Sequence, residues 1–179
     1  DMNNSFKEKK IIKINDKYFK FSNQLNILKF YFDIISNNPN KKFKNILEIG
    51  AGGGILCSLL RDNFKSKVTI IDIPDMILVS SAQLINIFPT ARFCFPNEID
   101  KNTNFDDFDI IFLSPNQTHF INEETFDLAI NTESFMEMDY EEVKKYFKII
   151  NLSLKDQGIF FTSNRIRKVQ YFCKYPWNI

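Results

Sequence analysis

Residues 46–54 read Ile-Leu-Glu-Ile-Gly-Ala-Gly-Gly-Gly, an apolar run broken by a glycine cluster. A buried strand ending in E-x-G-x-G-x-G, here Glu48, Gly50, Gly52 and Gly54, brings bare backbone against a ligand. Glycine has no Cβ, so such a turn can be tight and a nucleoside can lie directly on it. Eighteen residues after Gly54, the apolar run Val68-Thr69-Ile70-Ile71 ends in Asp72. A carboxylate there can accept hydrogen bonds from both ribose hydroxyls of an adenosine. Together the two signals predict a nucleoside cofactor. The dinucleotide fingerprint G-x-G-x-x-G would need glycine at position 55, which is Ile55. A P-loop would need Lys-Ser/Thr after the glycines, and none follows. A pyrophosphate ligand is therefore disfavoured, and the anionic Glu48 suits a cationic ligand better.

The elements that must position these residues alternate from about residue 43 onward. Strands are predicted at 45–49, 67–72, 126–131 and 159–162, with helices at about 54–64, 74–87 and from 140 onward. Ile55, Leu59 and Leu60 face inward on the first of these helices. Pro74 suits a first helical position and Pro89 closes that helix. Residues 92–95 and 109–113 compete for the third strand, with an Asn/Asp-rich loop between them. Asp139 and Glu142 have capping-box spacing ahead of an inward stripe of Val143, Tyr146, Phe147, Ile150 and Leu154, and Gly158 is read as the helix stop. This alternation predicts an α/β fold with a doubly wound, mostly parallel sheet and helices on both faces. Before it, residues 1–40 read as an appendage. It has a hairpin, Ile11–Ile14 and Tyr18–Phe21 about a turn at Asn15-Asp16, and a helix from about Asn23 to Ser36 with Leu25, Leu28, Phe32 and Ile35 on one face. The core is then 41–179.

On these residues the chain resembles the class I S-adenosylmethionine-dependent methyltransferases over about 43–165. The carriers are Leu47–Gly54, Ile71-Asp72-Ile73-Pro74 and Phe126–Asn131. A narrower likeness is to sugar O-methyltransferases of bacterial surface-glycan clusters. It rests on Asp72-Ile73-Pro74, on Asn131-Thr132-Glu133-Ser134-Phe135-Met136-Glu137-Met138, on Asn164-Arg165 and on Tyr175-Pro176-Trp177. The resemblance implies S-adenosyl-L-methionine as cofactor in a Rossmann-like core. Glu48, Gly50, Ala51, Gly52 and Gly54 would cradle its methionine portion, Asp72 its ribose and Ile73 its adenine, with Asn131 beside the turn. It implies a small-molecule or glycan-precursor acceptor, bound by Glu133, Ser134, Asn164 and Arg165. A hydroxyl acceptor needs a base, and two residues compete for that role: His119, the one histidine, and Glu137. Asn131, Ser134 and Glu137 also fit a loop that hydrogen-bonds to itself. A full core of this class has two further strands after 158–162. About sixteen residues remain here, with room for one strand at 169–174, so a longer parent chain and a naturally short core both stay open. An uncovered edge at 158–163 would pair with a second copy or be covered by 166–179.

Lys+Arg 23 against Asp+Glu 22 gives a net charge of +1, which supplies no general field for nucleic acid or an acidic membrane. The lysines at 7, 9, 10, 13, 17 and 20 read as a solvated face. No apolar run has the length of a membrane span, and the N-terminal residues have no signal-peptide core. Cys57, Cys94 and Cys173 are odd in number and lack metal-ligand spacing, so neither a disulfide framework nor a metal site is expected. A cytoplasmic protein is the expectation. Competing functions are a non-catalytic cofactor-binding or assembly module and a nicotinamide-dependent oxidoreductase, the latter weakened by Ile55.

Overall fold

Four strands with continuous apolar runs form the centre of the sheet: β3 (Asn45–Ile49), β4 (Lys67–Ile71), β6 (Ile110–Leu113) and β7 (Phe126–Thr132). Strands covered on both faces have no polar alternation, and these four are buried along almost their whole length. A computed structural model describes residues 11–14, 17–20 and 25–165. Within it the six-stranded sheet has the order β5-β6-β4-β3-β7-β8, with β5 at Phe93–Cys94 and β8 at Leu154–Ser163. All its pairings are parallel. From β3 the chain passes to β4, then to the edge strand β5, returns to β6 between β5 and β4, and crosses to β7 on the other side of β3. That reversal puts a topological switch point between β3 and β7, where open α/β sheets bind ligands beyond the carboxyl ends of their strands.

Three helices connect these strands: α2 (Ile55–Phe64), α3 (Pro74–Ile87) and α4 (Tyr140–Ser153). Side chains alternate across a strand. Leu47 and Ile49 therefore share the core cluster with Val143, Tyr146 and Ile150 of α4. Glu48 points to the opposite face, where it meets α2. Both candidates for the third strand exist. Residues 110–113 supply the full strand against β4, while 93–94 add a two-residue edge strand beyond it.

Two expectations about α4 need correction. Asp139 occupies the cap position, yet no side-chain capping bond forms there; Glu142 instead binds Lys145 at 2.8 Å. Gly158 is not the helix stop, because α4 ends at Ser153 and β8 starts at once. The register breaks between Phe126 and Leu128, so 155–158 are accommodated inside the strand, with Gln157 at φ +66°. Among the described residues β8 pairs only with β7. The expected strand at 169–174, the cover from 166–179 and Tyr175-Pro176-Trp177 lie outside the described residues.

The chain divides into units spanning 1–39 and 40–179, and the sheet belongs to the second. The first contains the hairpin β1 (Ile11–Ile14) and β2 (Lys17–Lys20), antiparallel with Ile11 opposite Lys20. Its expected turn at Asn15-Asp16 is outside the described residues. Helix α1 (Leu25–Asn37) buries Phe30, Tyr31 and Ile34 and exposes Leu25 and Phe32, which corrects the expected face. Apolar residues occur nearly all round this helix, so spacing alone does not select a phase. Asn37 and Asn38 donate side-chain amides to the Asp33 and Ile34 carbonyls at 2.8 Å, and so satisfy last-turn acceptors just before Pro39.

Candidate active site

The glycine turn follows directly from β3. Gly50, Gly52 and Gly54 have φ of +70°, +56° and +71°, a region that side-chain-bearing residues avoid. Gly50 N–H donates to the Ile71 carbonyl at 2.8 Å, which locks the turn to the end of β4. Gly54 N–H closes the turn on the Ala51 carbonyl at 2.9 Å. The three glycines serve different purposes. A Cβ at Gly54 would meet Ser80 and Leu84 of α3 at 3.2–3.4 Å, so Gly54 permits helix packing. A Cβ at Gly50 would sit 1.9 Å from Ser134 Oγ, so Gly50 admits the loop after β7. A Cβ at Gly52 would meet nothing within 4 Å. Open space over bare backbone is what a nucleoside-bearing ligand requires.

Asp72 borders that space. Its Oδ2 accepts from Gly52 N–H at 3.1 Å and its Oδ1 from Ile73 N–H at 2.9 Å. Each carboxylate oxygen accepts more than one hydrogen bond, so capacity for hydroxyl donors remains. Burial raises the Asp72 pKa, against the opposing pull of the Ile73, Gly52 and Ala51 backbone groups. Ile73, beside it, is a large apolar residue left 53% exposed at the carboxyl end of β4. The turn, Asp72 and Ile73 thus stand together.

Glu48 lies beneath the turn, buried, with its Oε2 accepting from Cys57 N–H of α2 at 3.2 Å. Cys57 in turn donates its thiol to the Gly54 carbonyl at 3.1 Å. Burial pushes the Glu48 carboxyl up to about 7, hydrogen bonding from Cys57 opposes this, and the charge of Asp72 adds to the rise. The neutral acid is therefore the form the fold prefers. Its stabilising effect is complete below the ordinary carboxyl value and is lost as pH rises through about 7. Over that interval the loss is at most about 3 kcal/mol. In Glu48→Gln, the decline in stability of the ligand-free protein between pH 5 and pH 8 should flatten, as read from denaturant midpoints. A slope equal to wild type would assign that pH dependence to other groups.

The loop after β7 flanks the turn, because Glu48 is paired with Ile130 across β3 and β7. Asn131 is fully buried, and its side chain is engaged within the protein. Glu133 is exposed, has φ +57° and donates its N–H to the Ser163 carbonyl at 2.8 Å. Ser134 rests on Gly50. Glu137 is exposed in the short 3-10 helix Phe135–Glu137. Asn164 meets this loop from the end of β8, and Arg165 is exposed next to it. His119 is not brought to the same place. It lies in the 3-10 helix Pro115–Phe120 after β6, with Nδ1 3.0 Å from the Asn116 carbonyl oxygen. Strands β4 and β3 separate β6 from β7, a lateral spacing of roughly 14 Å. Among the described residues no cluster of His, Cys, Asp and Glu could hold a metal ion, and Cys57 and Cys94 are free thiols. No described helix is long and apolar enough to cross a membrane. A cavity of about 340 Å³ opens elsewhere, among Asn45, Lys67, Thr69, Phe120 and Thr125, and includes none of the turn.

Known proteins share this fold. A family profile described as "Methyltransferase domain" matches residues 23–170. The ribosomal RNA small subunit methyltransferase C of Buchnera aphidicola subsp. Baizongia pistaciae is 31% identical over 93 residues, 51% of this chain and 28% of that protein. The PH0226 protein of Pyrococcus horikoshii OT3 has a TM-score of 0.57 at 19% identity, covering 78% of this chain and 57% of that one. Phosphoethanolamine N-methyltransferase 1 of Haemonchus contortus, solved with phosphoethanolamine and S-adenosylhomocysteine, has a TM-score of 0.53 at 17% identity, covering 76% and 25%. At such identities the structures share the fold. The chain spans little more than half of the Pyrococcus protein and about a quarter of the curated relative.

Proposed function

We infer, since this chain belongs to the methyltransferase domain family and that family uses S-adenosyl-L-methionine, that it transfers the cofactor's methyl group to a hydroxyl of a sugar or glycan precursor. The observation that carries the cofactor half is the open space over Gly52, bordered by Asp72 at the switch point. In this reading the turn holds the methionine portion, Asp72 accepts from the ribose hydroxyls and Ile73 packs on the adenine. When bound, the cofactor supplies an electrophilic methyl on a sulfonium. What this chain adds is position and exclusion of water, since the donor is already activated.

The acceptor oxygen must lose its proton, and a placed base contributes roughly 10²–10⁴-fold. Topology favours Glu137 over His119 for that task, because Glu137 stands on the loop beside the turn whereas His119 leaves from β6. Glu133 and Arg165, both exposed on this side, are the candidate acceptor contacts. The run Asn131-x-x-Ser134-Phe135-x-Glu137-Met138 supports a sugar acceptor by its likeness to the sugar O-methyltransferases.

A second reading, methylation of RNA, is favoured by the 31% identity to the ribosomal RNA enzyme. A net charge of +1 argues against it, because RNA affinity rests largely on phosphate neutralisation. Calorimetry should give micromolar binding of S-adenosylmethionine and S-adenosylhomocysteine. With labelled S-adenosylmethionine, radioactivity should then enter a sugar or nucleotide-sugar pool rather than RNA. No heat with either ligand on a folded sample would exclude the methyltransferase reading. Binding with label in RNA alone would replace the acceptor class.

A further inference from the structure

We propose that Asn131 and Asn164 are positioning residues, an amide pair with Asn131 buried and Asn164 half-buried, that fixes segment 133–138 against the glycine turn without touching cofactor or acceptor. The proposal rests on the reading that this segment faces the transferred methyl. Each had been expected to bind a ligand, Asn131 the cofactor and Asn164 the acceptor. Their hydrogen bonds leave little capacity for that. Asn131 Nδ2 donates to the Ile49 carbonyl at 2.8 Å. Its Oδ1 accepts from Phe135 N–H at 3.1 Å and from Asn164 Nδ2 at 2.8 Å. An amide oxygen has two lone pairs, so this one is full. Asn164 Nδ2 also donates to Thr162 Oγ1 at 2.9 Å, which occupies its second hydrogen. Asn164 Oδ1 accepts from Met136 N–H at 3.2 Å.

The pair therefore joins three strand ends, β3 through Ile49, β7 through Asn131 and β8 through Thr162 and Asn164. It also captures two consecutive amides of the loop. Ser134 is pinned from both sides. Glu133 before it is tied to Ser163, and Phe135 after it is tied to Asn131 and fully buried. The Phe135 ring lies 6.1 Å from that of Tyr146 and 5.6 Å from that of Phe147, which anchors the segment in the core. Held this way, with Glu133 at φ +57°, the chain lays Ser134 on Gly50 and sets Glu137 at a fixed offset from the turn. A displacement of about 1 Å in such a group can cost on the order of 10²-fold in rate. A fixed loop of this kind affects turnover and leaves cofactor affinity alone.

The test uses Asn164→Ala in the full chain, read by amide exchange, S-adenosylhomocysteine calorimetry and methyl transfer to the fraction that wild type labels. Exchange at Phe135 and Met136 should rise tenfold or more. The S-adenosylhomocysteine Kd and the KM for S-adenosylmethionine should stay within threefold while kcat falls at least tenfold. A tenfold weaker Kd would make Asn164 a ligand contact and overturn the proposal. So would faster exchange with kcat unchanged, which would make the pair a brace with no bearing on the reaction. If Asn164→Ala fails to fold, Asn164→Asp supplies the reading. It keeps the acceptor for Met136 but sets a carboxylate oxygen against Asn131 Oδ1, which holds Phe135 N–H, and so turns the Asn131 amide away; Met136 should stay slow as Phe135 becomes fast, and both slow, or both fast, overturns the proposal. Absence of S-adenosylhomocysteine binding in wild type would instead remove the methyltransferase reading, leaving the exchange result to be judged by itself.

Discussion

Replacing Asp72 with alanine should weaken S-adenosylhomocysteine binding by ten- to a hundredfold while the protein remains folded. Two effects act in the same direction. The first is direct: two ribose hydroxyls lose a charged acceptor in a partly buried place, and hydrogen bonds to charged groups contribute about 1.5–3 kcal/mol each before the losses are shared. The second acts through the turn. Asp72 holds Gly52 N–H at 3.1 Å and Ile73 N–H at 2.9 Å, so its removal frees the backbone over which the ligand must lie. The cost to folding should be small, because burial already raises the Asp72 pKa and its removal relieves that desolvation. Asp72→Asn separates the two effects. The amide oxygen can still hold one backbone N–H, whereas the charge for the ribose is gone, so its affinity should fall between wild type and alanine. Calorimetry on the three proteins measures this order. Equal affinity for all three would move the ribose site elsewhere.

The glycine turn and its junction with Asp72 were legible in sequence because their logic is local. Gly50, Gly52 and Gly54 must tolerate positive φ within one turn, and Asp72 must end the next parallel strand; both requirements leave residue types at fixed spacing. The fold was legible for the same reason, since buried parallel strands are short apolar runs. Interactions across distant segments left no such trace. Nothing in the order of residues says that Cys57 N–H meets Glu48 from the next helix, or that the Asn131 and Asn164 amides bond to one another across 33 positions. The residue types at 131 and 164 marked them as polar groups near the ligand; only the hydrogen-bond geometry distinguishes an amide that binds a ligand from one that holds a loop. His119 is a different case. It belongs to a loop at a strand's carboxyl end, as a base should, but the strand is β6, and strand order is a property of the whole sheet. The α4 cap shows the limit of a local motif. The Asp139–Glu142 spacing was present, yet Glu142 found Lys145 within its own helix.

The second large effect is expected at Gly50, where Gly50→Ala should destabilise the fold far more than Gly52→Ala although both are positive-φ glycines two residues apart. The left-handed backbone costs each alanine about 1–2 kcal/mol. At Gly52 the account ends there, since the new methyl enters open space. At Gly50 the methyl would lie 1.9 Å from Ser134 Oγ and 2.4 Å from Ser134 Cβ. Ser134 has nowhere to retreat, because Glu133 is tied to Ser163 and Phe135 to Asn131. Overpacking of this kind adds about 1–3 kcal/mol. The sum approaches a third of the stability of a typical domain, about 5–15 kcal/mol. Denaturant midpoints should therefore fall modestly for Gly52→Ala and severely for Gly50→Ala, and Ser134→Gly placed in the Gly50→Ala background should recover the packing part alone. Ligand binding should invert the order of interest. Gly52→Ala, the more stable of the two variants, should lose S-adenosylhomocysteine binding by tenfold or more, because its methyl occupies the space the ligand needs. If instead Gly52→Ala bound normally, the open space over Gly52 would not be the cofactor's place, and the assignment of the turn would fall with it.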